Sequence, residues 1–150
     1  MADPARTRAE RLSDTRRRLE QDVDAWVATA GPAGVHLVPL SFLWQDETVV
    51  LSTAAASLTG RNAAQSGRLR LGLGPTRDVV LVEGPVELVD AAEVDPGLAD
   101  AFAAKAGFDP RASSDRYVYL LVRPLRVQAW REENELAGRD LMRAGRWLAP

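Results

Sequence analysis

The 150-residue sequence contains no cysteine and a single histidine. Missing thiols exclude disulfides, thiol nucleophiles and zinc–thiolate sites, and they fit a reducing compartment. One His without Cys offers no transition-metal cluster. Aromatics make up 6% of the chain, and 19 basic residues against 21 acidic ones leave a net charge of −2. That balance argues against a nucleic-acid binder, which carries a basic excess. No apolar run has the length of a membrane span, and the first residues lack a signal-peptide core. The expectation is a soluble cytoplasmic protein with neither a membrane nor a nucleic-acid partner. Without repeats, low-complexity tracts or linkers, residues 1–150 read as one domain, in which residues 1–12 are open to disorder.

Catalytic constellations are equally scarce. His36 lies inside a strand-like run, where a partly buried, hydrogen-bonded histidine is favoured over a general base. Ser41 lacks the flanking glycines that expose a hydrolase nucleophile. Gly72-Leu73-Gly74 is followed by Pro75 and Thr76 where a dinucleotide fingerprint needs a third glycine and a helix. Asp90, Glu93 and Asp95 sit at a loop and helix start, where acids complement the helix dipole. No catalytic residue is assigned. If the chain is an enzyme, a cofactor carries the reaction.

What is present is mostly strand. Leu12, Leu19 and Val23 fall near helical spacing and predict a helix over residues 13–24, capped by Ser13. The arginines of residues 1–20, Arg6, Arg8, Arg11, Arg16, Arg17 and Arg18, form either a solvated face, the favoured reading, or a patch for a phosphorylated or polyanionic ligand. A strand at residues 26–30 stops at Gly31-Pro32-Ala33-Gly34. Runs at 35–44 and 48–53 form a hairpin around Gln45-Asp46-Glu47, and a short helix over 57–65 ends at Gly67. Residues 68–73 alternate Arg and Leu as a half-wet strand does. The run 79–89 is broken by Gly84-Pro85, which marks a bulge or an edge. A helix follows from Asp95-Pro96 to about Ala106. Residues 117–130 form a strand interrupted at Pro124, and 139–148 add a short closing strand. Six or seven antiparallel strands with two or three short helices describe a mainly β, α+β barrel. Trp26 and Trp44 read as core or rim residues.

The stretch from Val35 to Leu71 carries the most information. Its second strand opens into Ser52, Thr53, Ser57, Thr59 and Arg61, with Asn62 beside them. Hydroxyls and an arginine at a helix start can cradle an anion, because a helix N-terminus presents unpaired N–H groups and a positive dipole end. An ordinary capped helix, in which Ser57 or Thr59 satisfies only backbone donors, accounts for the same residues. Both readings stand at this point.

The order strand, turn, strand ending in Ser52-Thr53, three small residues, Ser57, then Thr59 and Arg61-Asn62 resembles the flavin-binding split-barrel family. Pyridoxamine 5′-phosphate oxidase and the actinobacterial flavin/deazaflavin-dependent oxidoreductases belong to it. The tail, Pro124-Leu125-Arg126-Val127-Gln128-Ala129-Trp130 with Arg139 and Gly145-Arg146-Trp147, is similar to the family's closing strands. The resemblance implies a homodimer of split β-barrels with flavin sites at the interface. Leu37, Val38, Pro39 and Leu40 would pass their backbone along the isoalloxazine ring, and Ser52 and Thr53 would lie near the ring or ribityl chain. Ser57, Thr59 and Arg61 would face the phosphate. Trp130 and Arg139 would reach in from the neighbouring subunit, although a strand-end aromatic taken alone is more often a core or interface filler.

In that family basic residues follow the serine matched by Ser57. Leu58 and Thr59 stand there in this chain, which shifts the expected cation to Arg61 or to another base such as Arg77. Nothing matches the residues that hold the oxidase's substrate, so pyridoxamine phosphate oxidation is not expected. The resemblance implies an oxidoreductase moving hydride between FMN, the first choice, or an 8-hydroxy-5-deazaflavin coenzyme and an unidentified small molecule. The deazaflavin's anionic tail would suit the basic N-terminal helix. The alternatives are a non-catalytic flavin or haem binder, with His36 as the only histidine ligand, and a cofactor-free structural barrel.

Overall fold

In the computed structural model, which describes residues 3–150, three α-helices and ten strands are seen among the described residues. Helix α1 (Arg8–Gln21) leads into β1 (Asp24–Gly31), β2 (Gly34–Ser41), β3 (Leu43–Gln45) and β4 (Thr48–Ala54). Then come α2 (Leu58–Ser66), β5 (Arg68–Leu73), β6 (Val79–Asp90), α3 (Pro96–Ala106), β7 (Tyr117–Val122), β8 (Arg126–Trp130), β9 (Asp140–Arg143) and β10 (Arg146–Trp147). Every pairing is antiparallel. One path runs β10-β9-β8-β6-β5-β1-β2, and a second joins β3, β4 and β7 to the far half of β6. The sheet curls into the half-barrel of a split barrel.

The bend lies at Gly84-Pro85. Residues 79–83 of β6 pair with β8, and residues 86–90 pair with β7. A Cβ at Gly84 would stand 2.1 Å from the Arg123 carbonyl oxygen, so only glycine admits the crossing backbone. Pro85 follows where β8 hands over to β7, and its missing N–H falls at this handover. The pair therefore marks a corner inside a strand flanked on both sides, not an edge.

Alternation builds the core. In register, Val27, Leu71, Val82, Val127 and Met142 form one row across five strands, each at most 3% exposed. Leu19 of α1 and Phe42, Leu51, Leu120 and Val122 close it. Each such side chain contributes about 1.5–3 kcal/mol by leaving water. A smaller cluster of Val50, Val94, Ala99, Phe102 and Tyr119 lies beneath α3. There Phe102 meets Tyr119 and Phe108 edge-on, with centroids 5.5 and 5.6 Å apart. Lys105 of α3 donates to the Glu20 carbonyl at the end of α1 (3.1 Å) and lies over the Phe42 ring.

Several expectations are corrected. Ten strands replace six or seven because two apolar runs change partners midway. The run 35–44 breaks at buried Phe42, leaving β2 on β1 and β3 on β4, and the run 117–130 divides at residues 123–125 between the two paths. The tail is a two-stranded hairpin turned at Ala144-Gly145. Helix α1 starts five residues before the expected cap: Thr7 accepts from the Glu10 N–H and Glu10 returns the bond, a capping box. Met1 and Ala2, the start of the stretch open to disorder, lie outside the described residues. Trp44 packs at the core rim as expected, whereas Trp26 is 55% exposed on the sheet's outer face.

The arginine run is solvated only in part, at Arg16 and Arg17, and most of it is committed to ion pairs. Arg6 bonds Glu135 (2.8 Å) and Asp14 (3.0 Å), Arg16 bonds Glu47 (3.2 Å) and stacks on Trp147, Arg17 bonds Asp14 (2.8 Å), and Arg18 bonds Asp78 (2.7 Å). Arg11 is buried. Apart from Arg17–Asp14, which lies within α1, these charges tie the N-terminal segment to the rest of the chain. No helix among the described residues is long and apolar enough to cross a membrane.

Candidate functional site

Strand β4 delivers the hydroxyls to the start of α2. The Thr53 and Ser57 oxygens lie 2.9 Å apart, and Ser57 caps the helix by accepting from the Gly60 N–H at 3.0 Å. A Cβ at Gly60 would lie 2.8 Å from the Ala54 carbonyl oxygen, so glycine lets the first turn sit tightly on the strand end. The far side of α2 is pinned by Asn62, which donates to Thr29 of β1 at 3.2 Å. Gly31 makes room for it, since a Cβ there would fall 2.2 Å from Asn62 Oδ1. Gly67, at φ 70°, ends the helix.

The N–H groups of Leu58 and Thr59 have no acceptor among the described residues, as expected for a helix's first turn. Arg61 follows one turn later, exposed and without an ion pair among the described residues. Two adjacent hydroxyls and two free N–H groups thus meet at one helix end, and Arg61, with no ion pair among the described residues, lies one turn along the same helix. This set can bind a phosphate through charge-assisted bonds. The capped-helix reading holds as well: Ser57 has both tasks open to it.

Strand alternation separates Ser52 from this group. It lies on the opposite face of β4 from Thr53, buried, and donates to the Val118 carbonyl at 2.9 Å. Thr59 is 3% exposed and faces inward. Arg77 stands in the β5–β6 turn and pairs with Glu132 at 3.0 Å.

Strand β2 carries Leu37, Val38, Pro39 and Leu40. It terminates its sheet path and pairs with β1 alone, which leaves one edge of its backbone open to a ligand. Val38 and Leu40 face the interior. Leu37 and Pro39 face outward in register with Ala28 and Trp26. His36 is half-buried on the inner face, opposite Thr29, and its ring has no hydrogen-bond partner among the described residues, unlike the bonded histidine expected. The outer face exposes Val35, Leu37 and Trp26 at 82, 57 and 55%.

Trp130 ends β8 opposite Val79, with the Arg139 guanidinium 5.5 Å from its ring centre. Within one chain neither shares a hydrogen bond or strand pairing with the α2 cradle. The loop that joins them is wired to the N-terminus. The Glu135 carboxylate, 2% exposed, accepts from the Arg6 side chain at 3.0 and 2.8 Å and from the backbone N–H groups of Arg6 (2.9 Å) and Arg131 (2.8 Å). The Arg6 bonds, above all, hold its pKa down to about 2. Arg131 reaches Asp78 (3.2 Å), which also receives Arg18. The sequence reading missed this cluster, since Arg6 and Glu135 lie 129 residues apart. It also missed Gly60, whose only signal is its place three residues after the cap.

A family model described as pyridoxamine 5′-phosphate oxidase matches residues 14–131. Among solved structures, the chain resembles an F420 reductase at 19% identity, with 75% of this chain and 94% of that one covered and a TM-score of 0.62. General stress protein 26 of Bacillus anthracis aligns at 18% identity over 81% of this chain and 95% of its own, TM-score 0.64. A pyridoxamine 5′-phosphate oxidase-related, FMN-binding protein of Nostoc punctiforme aligns at 15% over 81% and 80%, TM-score 0.53. Identities this low establish the fold alone. Among curated proteins nothing matches.

Proposed function

The chain belongs to the pyridoxamine 5′-phosphate oxidase family, and from that premise we propose that it is a cytoplasmic, homodimeric flavin-dependent oxidoreductase that takes FMN. The observation that carries this reading is the start of α2, where Thr53 and Ser57 sit 2.9 Å apart beside free N–H groups and the unpaired Arg61. These groups would hold the phosphate dianion, and the open edge of β2 would offer backbone donors and acceptors to the ring. The flavin would supply the hydride chemistry, which suits a chain with no acid–base set of its own.

Dimerisation has support in the exposed Trp26, Val35 and Leu37, which make an outward apolar face of the kind that marks an interface. It is also the arrangement that would bring Trp130 and Arg139 to a second chain's cradle. The deazaflavin reading has less support than FMN. Its argument was a basic N-terminal helix free to meet an anionic tail, and those arginines are largely spent on internal ion pairs. Oxidation of pyridoxamine phosphate is not proposed.

Arg61→Ala tests the site. Charge-assisted hydrogen bonds contribute about 1.5–3 kcal/mol, so the variant should bind FMN at least tenfold more weakly in a fluorescence titration. Wild-type affinity in Arg61→Ala would remove the phosphate from α2.

A further inference from the structure

The segment between Trp130 and Arg139 holds one short 3-10 turn, at residues 133–135, and no strand pairing of its own. Its shape is set from α1. Arg11 Nη1 lies 3.1 Å from the carbonyl oxygens of Glu135 and Gly138 and 3.5 Å from that of Ala129. Arg11 is 6% exposed, makes no salt bridge among the described residues, and leaves its Nε without an acceptor. An apolar side chain of similar length would fill the space at lower electrostatic cost. What it could not do is gather inward-pointing carbonyls, which need a donor once buried.

The peptides on both sides of Trp130 are fixed by the same wiring. The Ala129 N–H donates to the Arg139 carbonyl at 3.0 Å, closing the base of the loop, and the Arg131 N–H donates to Glu135 at 2.8 Å. Glu135 is in turn gripped by Arg6. Trp130 and its stacked Arg139 therefore ride on a frame whose inner carbonyls and carboxylate are held by Arg11 of α1 and by Arg6 just before it.

We propose that Arg11, together with the Arg6–Glu135 pair, positions Trp130 and Arg139 for the flavin site of the neighbouring subunit. This rests on the flavin reading above. Arg11 touches neither cofactor nor substrate; it acts through the loop.

The test combines amide hydrogen exchange with FMN titration of the full-length protein, using Arg11→Met and Arg11→Lys. In Arg11→Met the Ala129 and Arg131 amides should exchange at least tenfold faster while Leu51 and Leu120 keep wild-type rates. The FMN Kd should rise at least tenfold. Arg11→Lys, still able to donate to the carbonyls, should recover most of both effects. With Trp130→Ala already present, Arg11→Met should weaken FMN binding less than twofold further. Unchanged affinity in Arg11→Met, faster exchange throughout the sheet, or independent losses in the double variant would overturn the positioning role alone. A wild-type protein that binds no FMN would overturn the flavin reading and this role with it.

Discussion

Replacing Glu135 by glutamine changes one atom and should unsettle the whole N-terminal attachment. The carboxylate accepts four hydrogen bonds, three from Arg6 and one from the Arg131 N–H, and the two side chains are 2% and 9% exposed. A glutamine turns one oxygen into an NH2 group facing other donors, and it leaves the Arg6 charge without its principal counter-charge. Holding the carboxyl at about 2 instead of its usual 4.5 corresponds to about 3 kcal/mol. That agrees with the ~3–5 kcal/mol lost when one partner of a buried pair is removed. Urea unfolding at pH 7 should therefore show Glu135→Gln about 3 kcal/mol less stable. Its melting temperature should fall by about 6–12 °C, at the ~2–4 °C per kcal/mol typical of this chain length. The acid dependence follows in sign. A carboxyl with a depressed folded pKa contributes stability that is complete above its unfolded pKa and is lost as pH falls from about 4.5 towards about 2. Wild type should lose that increment across the window, and Glu135→Gln should have a flatter profile. A variant within about 1 kcal/mol of wild type at pH 7, or parallel acid profiles, would refute the buried-pair argument.

Gly84→Ala should destabilise by about 3 kcal/mol or more, or fail to fold, because its Cβ would meet backbone rather than a movable side chain; urea midpoints measure it. Tyr119→Phe should be neutral or stabilising by up to about 1 kcal/mol, since the buried hydroxyl has no partner among the described residues; a clear loss in the same assay would reveal an unseen partner. Leu37→Asp should shift the protein from dimer to monomer in sedimentation without lowering the monomer's stability by more than about 0.5 kcal/mol, as befits an exposed position.

How much was legible in the residues depended on how local the cause was. The α2 cap, its Gly67 stop and the α3 frame from Asp95-Pro96 to Gly107 were readable because caps are satisfied within a few residues. The start of α1 was legible too, as the Thr7–Glu10 capping box, but the apolar stripe begins only at Leu12 and drew the boundary inward. The buried face of the helix begins with Arg11, a polar residue whose partners lie more than a hundred residues away. Partner exchange within an apolar run leaves no periodic trace. Phe42 sits in a mostly apolar run, yet its N–H turns to Val23 and ends β2.

The candidate site divided in the same way. Thr53 and Ser57 converge because a strand end and a helix start adjoin in sequence. Ser52 looked equivalent to Thr53, but a period of two sends neighbouring side chains to opposite faces. Arg61 could not be singled out by composition. Eighteen residues of one type look alike until ion pairing commits most of them, and Arg61 is among those it leaves unengaged.

The account stands or falls on flavin binding. Titration of the purified protein with FMN, followed by quenching of flavin fluorescence, should saturate at one FMN per chain. Affinity should be micromolar or tighter, about −8 kcal/mol. An oxidised flavin spectrum should travel with the dimer through gel filtration. Absence of binding by either FMN or the deazaflavin coenzyme at about tens of micromolar would contradict it, because the α2 cradle would then be a capped helix and nothing more.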